Sequence, residues 1–124
     1  MILDFRLHAA RYAVAVLDGD AALPVWPRGR FTAVVRTQSE LTVVCEEGCV
    51  PRDVRQQGGW RCLEIAGTFG LDAVGVVATA SRAIAEAGIS LFAYSTWSAD
   101  CLLIHDTNIV SAIDALRASG HTVR

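Results

Sequence analysis

The chain has 124 residues, 52% of them hydrophobic and 19% charged, with 11 basic and 13 acidic side chains giving a formal net charge of -2. That length holds one ordinary domain or two very small units sharing a core, and it excludes a large multidomain enzyme. The near balance of charge provides no field to recruit nucleic acid or an anionic membrane, and the apolar fraction excludes a disordered chain; a charged share below the usual value of about 25% points to surface hidden in an oligomer.

Leu3, Phe5 and Leu7 alternate with Asp4, Arg6 and His8, the period of a strand with one buried face. Residues 12–17 read as a second strand, ended by Asp18-Gly19-Asp20, after which Pro24, Trp26, Pro27 and Gly29 make the main irregular connection. Residues 31–36 and 41–45 form a predicted hairpin about the polar link Thr37-Gln38-Ser39-Glu40. The polar stretch 46–59 has room for one helical turn, closed by Gly58 and Gly59.

From Trp60 the pattern sharpens. Residues 60–66 read as a strand, and Gly67-Thr68-Phe69-Gly70 as a loop into a helix from about Leu71 to Ala87. Val74, Val77, Ala80, Ile84 and Ala87 give that helix one apolar stripe, and Gly88 stands where a C-terminal cap belongs. Residues 89–94 form a strand too continuous in its apolar character to be half exposed. A turn at 95–99 leads to a strand at 100–105. Asp106 or Thr107 caps a second helix with Ile109, Ile113 and Leu116 on one face, Gly120 stops it, and 121–124 is a last short strand.

The order βαββαβ over 60–124 predicts an α+β, ferredoxin-like fold, an antiparallel sheet with both helices on one face. The hairpins at 31–45 and 89–104 match in outline, each with a threonine followed three or four residues later by an acid: Thr37 with Glu40, and Thr96 with Asp100. An internal repeat follows, with a degenerate unit over 1–59 and a complete one over 60–124.

No run approaches the roughly 18 to 20 apolar residues of a membrane span, and the first residues lack a basic region followed by an apolar stretch, so a cytoplasmic chain is expected. In that compartment Cys45, Cys62 and Cys101, each inside an apolar run, read as buried thiols. Cys45 and Cys49 have no histidine nearby, so no metal is expected, and His8, His105 and His121 read as strand-end or surface residues. No catalytic pair of Ser and His or Cys and His stands at a recognisable spacing. Acylphosphatase-like enzymes share this architecture but need an arginine in a glycine-rich loop after the first strand, where Asp18-Gly19-Asp20 places negative charge instead. RNA-recognition motifs share it too, but the corresponding strands 89–94 and 101–105 contain no lysine or arginine; Arg52, Arg55 and Arg61 read as a solvated face.

Asp72-Ala73-Val74-Gly75-Val76-Val77, followed by Ala85-Glu86-Ala87-Gly88-Ile89-Ser90, resembles the ACT-domain family, with its glycine before an apolar helix and a Gly-Ile-Ser lead into the next strand. More closely, Arg36-Thr37 with Glu40-Leu41-Thr42-Val43-Val44-Cys45, then Gly59-Trp60, then Gly88-Ile89-Ser90 with Ser95-Thr96 and Asp100, resembles the tandem-ACT proteins related to the arginine sensors called CASTOR. The resemblance runs from about Tyr12 onward, is strongest over 31–104, and is departed from at Trp97 and at Cys101, where the family often has an aromatic.

The resemblance implies two tandem ACT-like units with antiparallel sheets, no catalysis and no cofactor. It also implies a free amino acid or similar small metabolite bound at an interface between units, commonly in a homodimer. An amino acid presents an ammonium and a carboxylate, so its site needs a carboxylate acceptor and exposed backbone donors. Asp100 and Glu40 are the candidate acceptors; Gly67, Thr68, Phe69 and Gly70, leading into a helix, are the candidate donors; and Ser95, Thr96 and Thr37 add hydroxyls. Asp72 is expected to interact with its helix N-terminus instead. The rival reading is an ACT-like structural or protein-interaction module that has lost its ligand.

Overall fold

The computed structural model describes residues 1–67 and 69–124, which divide into two compact units: residues 10–60, and residues 61–124 together with 1–9. The first nine residues, expected with the N-terminal unit, thus group with the C-terminal one. The reason is that the predicted strands near Leu3 and Tyr12 are one continuous strand, β1 (Asp4–Asp18), long enough to contribute to both units.

The unit formed by 1–9 and 61–124 contains the first part of β1, the end of β4 (Arg55–Ile65), α1 (Val76–Glu86), β5 (Phe92–Ser95), β6 (Asp100–His105), α2 (Ile109–Ala118) and β7 (Thr122–Val123). Its strand order is β7-β1-β4-β6-β5, with β5 antiparallel to β6 and β7 parallel to β1. Phe5, Leu63, Ile65, Leu102 and Ile104 from the strands pack with Ala80 and Ile84 of α1 and Ala112 and Leu116 of α2 in one apolar cluster. Both helices end as expected, on glycines with positive φ. Gly88 N–H donates to Ala85 O and Ile89 N–H to Ile84 O, while Gly120 N–H donates to Arg117 O and His121 N–H to Leu116 O, the pairing that satisfies last-turn carbonyls.

The start of α1 departs from expectation. Residues 71–75 are not helical: Gly75, at φ 84°, is the residue before the helix, and Ala73 N–H closes a turn on Gly70 O at 3.0 Å. A left-handed residue cannot continue a right-handed turn. The buried face is therefore Val76, Ala80, Ala83 and Ile84; Val74 is 86% exposed and Asp72 stands ahead of the helix rather than in its first turn. Strand β5 also differs, its side chains alternating between half-buried and exposed because it lies at the sheet edge with β6 as its one partner.

Three polar expectations change as well. Neighbouring strands β4 and β6 bring Cys62 and Cys101 together as a disulfide, with Cα atoms 6.4 Å apart, instead of separate thiols. Arg61 is not on a solvated face: it pairs with Asp106 at 3.3 Å and donates to His8 O at 3.3 Å. His8 pairs with Glu64 at 3.0 Å, and His121 is buried, accepting from Leu3 N–H at 3.1 Å with its ring edge-on to Phe5.

The unit formed by 10–60 contains the second part of β1, β2 (Ala33–Arg36), β3 (Glu40–Glu46) and the start of β4, with no α-helix; Glu47–Cys49 forms a single 3-10 turn. Strands β2 and β1 flank β3, both antiparallel to it. Residues 19–32 lack regular structure, as the prolines predict, and Gly58 and Gly59 lie within β4 rather than closing a turn. Ala13, Ala15, Val43 and Cys45 form the core with Val50, Trp26 and Val54. Burial raises the pKa of the Cys45 thiol, with the neighbouring Cys49 adding to the effect, and burial likewise raises that of Tyr12, with Glu46 pushing the same way.

Candidate functional site

The two hairpins have the same turn. At the first, Thr37 N–H donates to Glu40 O at 2.9 Å and Glu40 N–H donates to Thr37 Oγ1 at 3.2 Å. At the second, Thr96 N–H donates to Ala99 O at 2.8 Å and Ala99 N–H donates to Thr96 Oγ1 at 3.0 Å. Each threonine hydroxyl thus replaces a backbone acceptor inside the turn. The registers Arg36↔Leu41 and Ser95↔Asp100 make Leu41, not Glu40, the counterpart of Asp100. The matched acids are offset by one position, which in a strand means opposite faces.

What surrounds the turns differs. Beside Thr96, the segment before α1 and the first turn of α1 enclose a cavity of about 270 Å³. Phe69 and Gly70 line it from the loop, Ser95, Thr96 and Asp100 from the hairpin, and Val76 to Ala78 from the helix start. The Ser95 hydroxyl donates to Asp100 Oδ1. Gly75 precedes the helix with no side chain capping the first-turn N–H groups, and Gly75 to Ala78 line the cavity.

Five of the nine residues singled out from sequence are therefore brought together: Phe69, Gly70, Ser95, Thr96 and Asp100. Gly67 stands at the start of the loop with φ 105° and does not line the cavity, and Thr68 lies outside the described residues. Thr37 and Glu40 belong to the other unit, where Glu40 borders a shallow polar hollow with Arg55 and Gln57. Sequence reasoning missed Trp97, Leu71 and Gly75 as wall residues. Gly75 could have been found, because a glycine after a run of turn-compatible residues and before an amphipathic stripe is a helix boundary; Trp97 carried no signal beyond its departure from the family pattern.

Among the described residues no group of three histidine, cysteine or acidic side chains is placed to hold a metal ion, and no helix is long and apolar enough to cross a membrane.

A family model described as ACT domain matches residues 55–118, and a second, described as the N-terminal domain of its family, matches residues 10–53. A crystal structure of a protein from Agobacterium tumefaciens is similar at 30% identity and a TM-score of 0.93, covering 100% of this chain and 93% of that one. A protein of unknown function from Vibrio cholerae, described as a possible transport protein, shares the fold at 21% identity and a TM-score of 0.72, over 94% of this chain and 88% of that one. The ligand-free regulatory subunit of aspartate kinase from Thermus thermophilus shares it at 11% identity and a TM-score of 0.64, over 92% and 95% respectively. No curated protein matches the chain.

Proposed function

Because the chain belongs to the ACT-domain family, we propose that it is a non-enzymatic regulatory or sensor protein of tandem ACT-like units that binds an amino acid. In this reading 10–60 is a degenerate unit, 61–124 together with 1–9 carries the ligand, and the chain works as a cytoplasmic homodimer of the CASTOR type. The observation that carries it is a single cavity lined both by Asp100 and by the first turn of α1, which has no side-chain cap. A carboxylate acceptor and a set of backbone donors are what the ammonium and carboxylate of a free amino acid require. The regulatory aspartate kinase subunit of the same fold lends support to a regulatory role.

A thermal-shift screen with the twenty common amino acids tests the reading. A ligand that binds only the native state adds about 2.7 kcal/mol at a hundredfold excess over Kd, enough to move the melt by several degrees in a chain this size. Asp100→Ala removes the shift if the carboxylate holds the ammonium. Light scattering at tens of micromolar checks the dimer. A second reading, an ACT-like structural or protein-interaction module without a ligand, is favoured by one observation: Asp100 is already bonded to Ser95, and the Thr96 hydroxyl is engaged in its turn. It predicts a flat screen.

A further inference from the structure

The same cavity carries an inference about which ligand it takes, and this rests on the amino-acid reading above. Among the residues that line it, Asp100 is the one ionisable side chain, and no lysine, arginine or histidine is present. Asp72 has its carboxylate against Gly70 and does not line the space. The rest of the wall is uncharged: hydroxyls come from Ser95, Thr96 and Ser98, and large apolar surface from Phe69, Leu71, Val76 and Val77, with the indole of Trp97 at the turn. Three of these are conspicuously uncovered, Leu71 at 68%, Val77 at 38% and Trp97 at 79% exposure. They flank the opening from the loop, the helix and the hairpin.

We infer that the site selects a neutral amino acid with an apolar side chain, aliphatic or aromatic, and rejects both acidic and basic amino acids. With Asp100 committed to the ligand's ammonium and the α1 first turn to its carboxylate, the side chain meets uncharged wall, most of its large residues apolar: Phe69, Leu71, Val76, Val77 and the Trp97 ring. An anionic side chain finds no cation and repels Asp100. A cationic side chain competes with the ammonium for one carboxylate and finds no second carboxylate among the lining residues. An apolar side chain instead covers Leu71, Val77 and Trp97, removing from water the surface they expose. The specificity thus departs from the arginine ligand that the resemblance alone would suggest.

Isothermal titration of the full chain with leucine, phenylalanine, aspartate, glutamate, arginine and lysine tests this directly. Leucine or phenylalanine should bind about tenfold or more tighter than any of the charged four, the discrimination expected for one unpaired charge. 4-Methylpentanoate, which lacks the ammonium, should bind at least as weakly as the charged amino acids. Trp97→Ser should weaken leucine binding while leaving the melting temperature of the unliganded protein near that of the parent, because the indole is exposed; Asp100→Asn should weaken it with the melt again as control. Tighter binding of arginine, lysine, aspartate or glutamate overturns the inference and leaves the amino-acid reading standing. Failure of all six, with a flat screen across the twenty, overturns the amino-acid reading itself.

Discussion

Two hairpins with one turn geometry and one register serve different ends in this chain. At β5–β6 the turn borders a cavity that the start of a helix also lines. At β2–β3 the chain's own backbone packs close against the turn. A Cβ placed on Gly19 would stand 2.4 Å from Gln38 O, whereas one on Gly75 would meet nothing within 4 Å. The Arg36 guanidinium, at the position Ser95 holds in the other hairpin, donates to Gly19 O and, at 2.7 Å, to Ala21 O, fastening the irregular segment there. The difference teaches that a Thr-turn hairpin does not make a site. The cavity also needs the start of a helix, and residues 19–32, carrying Pro24 and Pro27, have no helix.

The comparison can be broken by substitution. The largest effect belongs to the helix that makes the difference: Ile84→Ala, at a fully buried anchor of α1, should cost about 2–5 kcal/mol in denaturant unfolding and abolish any ligand response. Next, Gly19→Ala should cost about 2–3 kcal/mol through collision with the Gln38 backbone, against about 1 kcal/mol for Gly75→Ala, which meets only the unfavourable φ. The reverse order would mean that the space beside the first hairpin is as open as that beside the second. Smaller still, Thr37→Ala and Thr96→Ala should each cost about 0.5–1 kcal/mol, and by similar amounts, since the hydroxyls hold the same turn bond.

Tyr12 gives a pH test confined to the 10–60 unit. Its raised pKa means that above about pH 10 the native state keeps a proton the unfolded chain has released. Stability is therefore present in full below the unfolded value and falls as pH rises through the native one. Tyr12→Phe should flatten that alkaline decline in melting temperature.

The contrast between the hairpins also marks what the sequence could carry. The second half was legible because each element announces itself locally: Gly88 and Gly120 stop helices, and Ile109 and Leu116 mark a buried face. The candidate residues Phe69, Gly70, Ser95, Thr96 and Asp100 could be gathered because the chain's own turns place them at element ends. What failed was register and partnership. The one-residue offset between Glu40 and Asp100 is invisible until strands are paired, so the sequence alone cannot separate Thr37 and Glu40 from the residues at the second hairpin. Val74 fits the apolar stripe of α1 as well as Val76 does, and only the left-handed Gly75 decides between them. Cys62 and Cys101, 39 residues apart, meet only through the adjacency of β4 and β6.

Amide chemical shifts of the 15N-labelled protein during a titration with leucine locate the binding residues. Saturable perturbations should concentrate at Phe69 to Ala78 and Ser95 to Asp100, with Thr37 to Glu40 unmoved. Perturbations centred on the first hairpin, or none at a saturating concentration of leucine and of every other neutral apolar amino acid, would contradict a ligand site at the second hairpin.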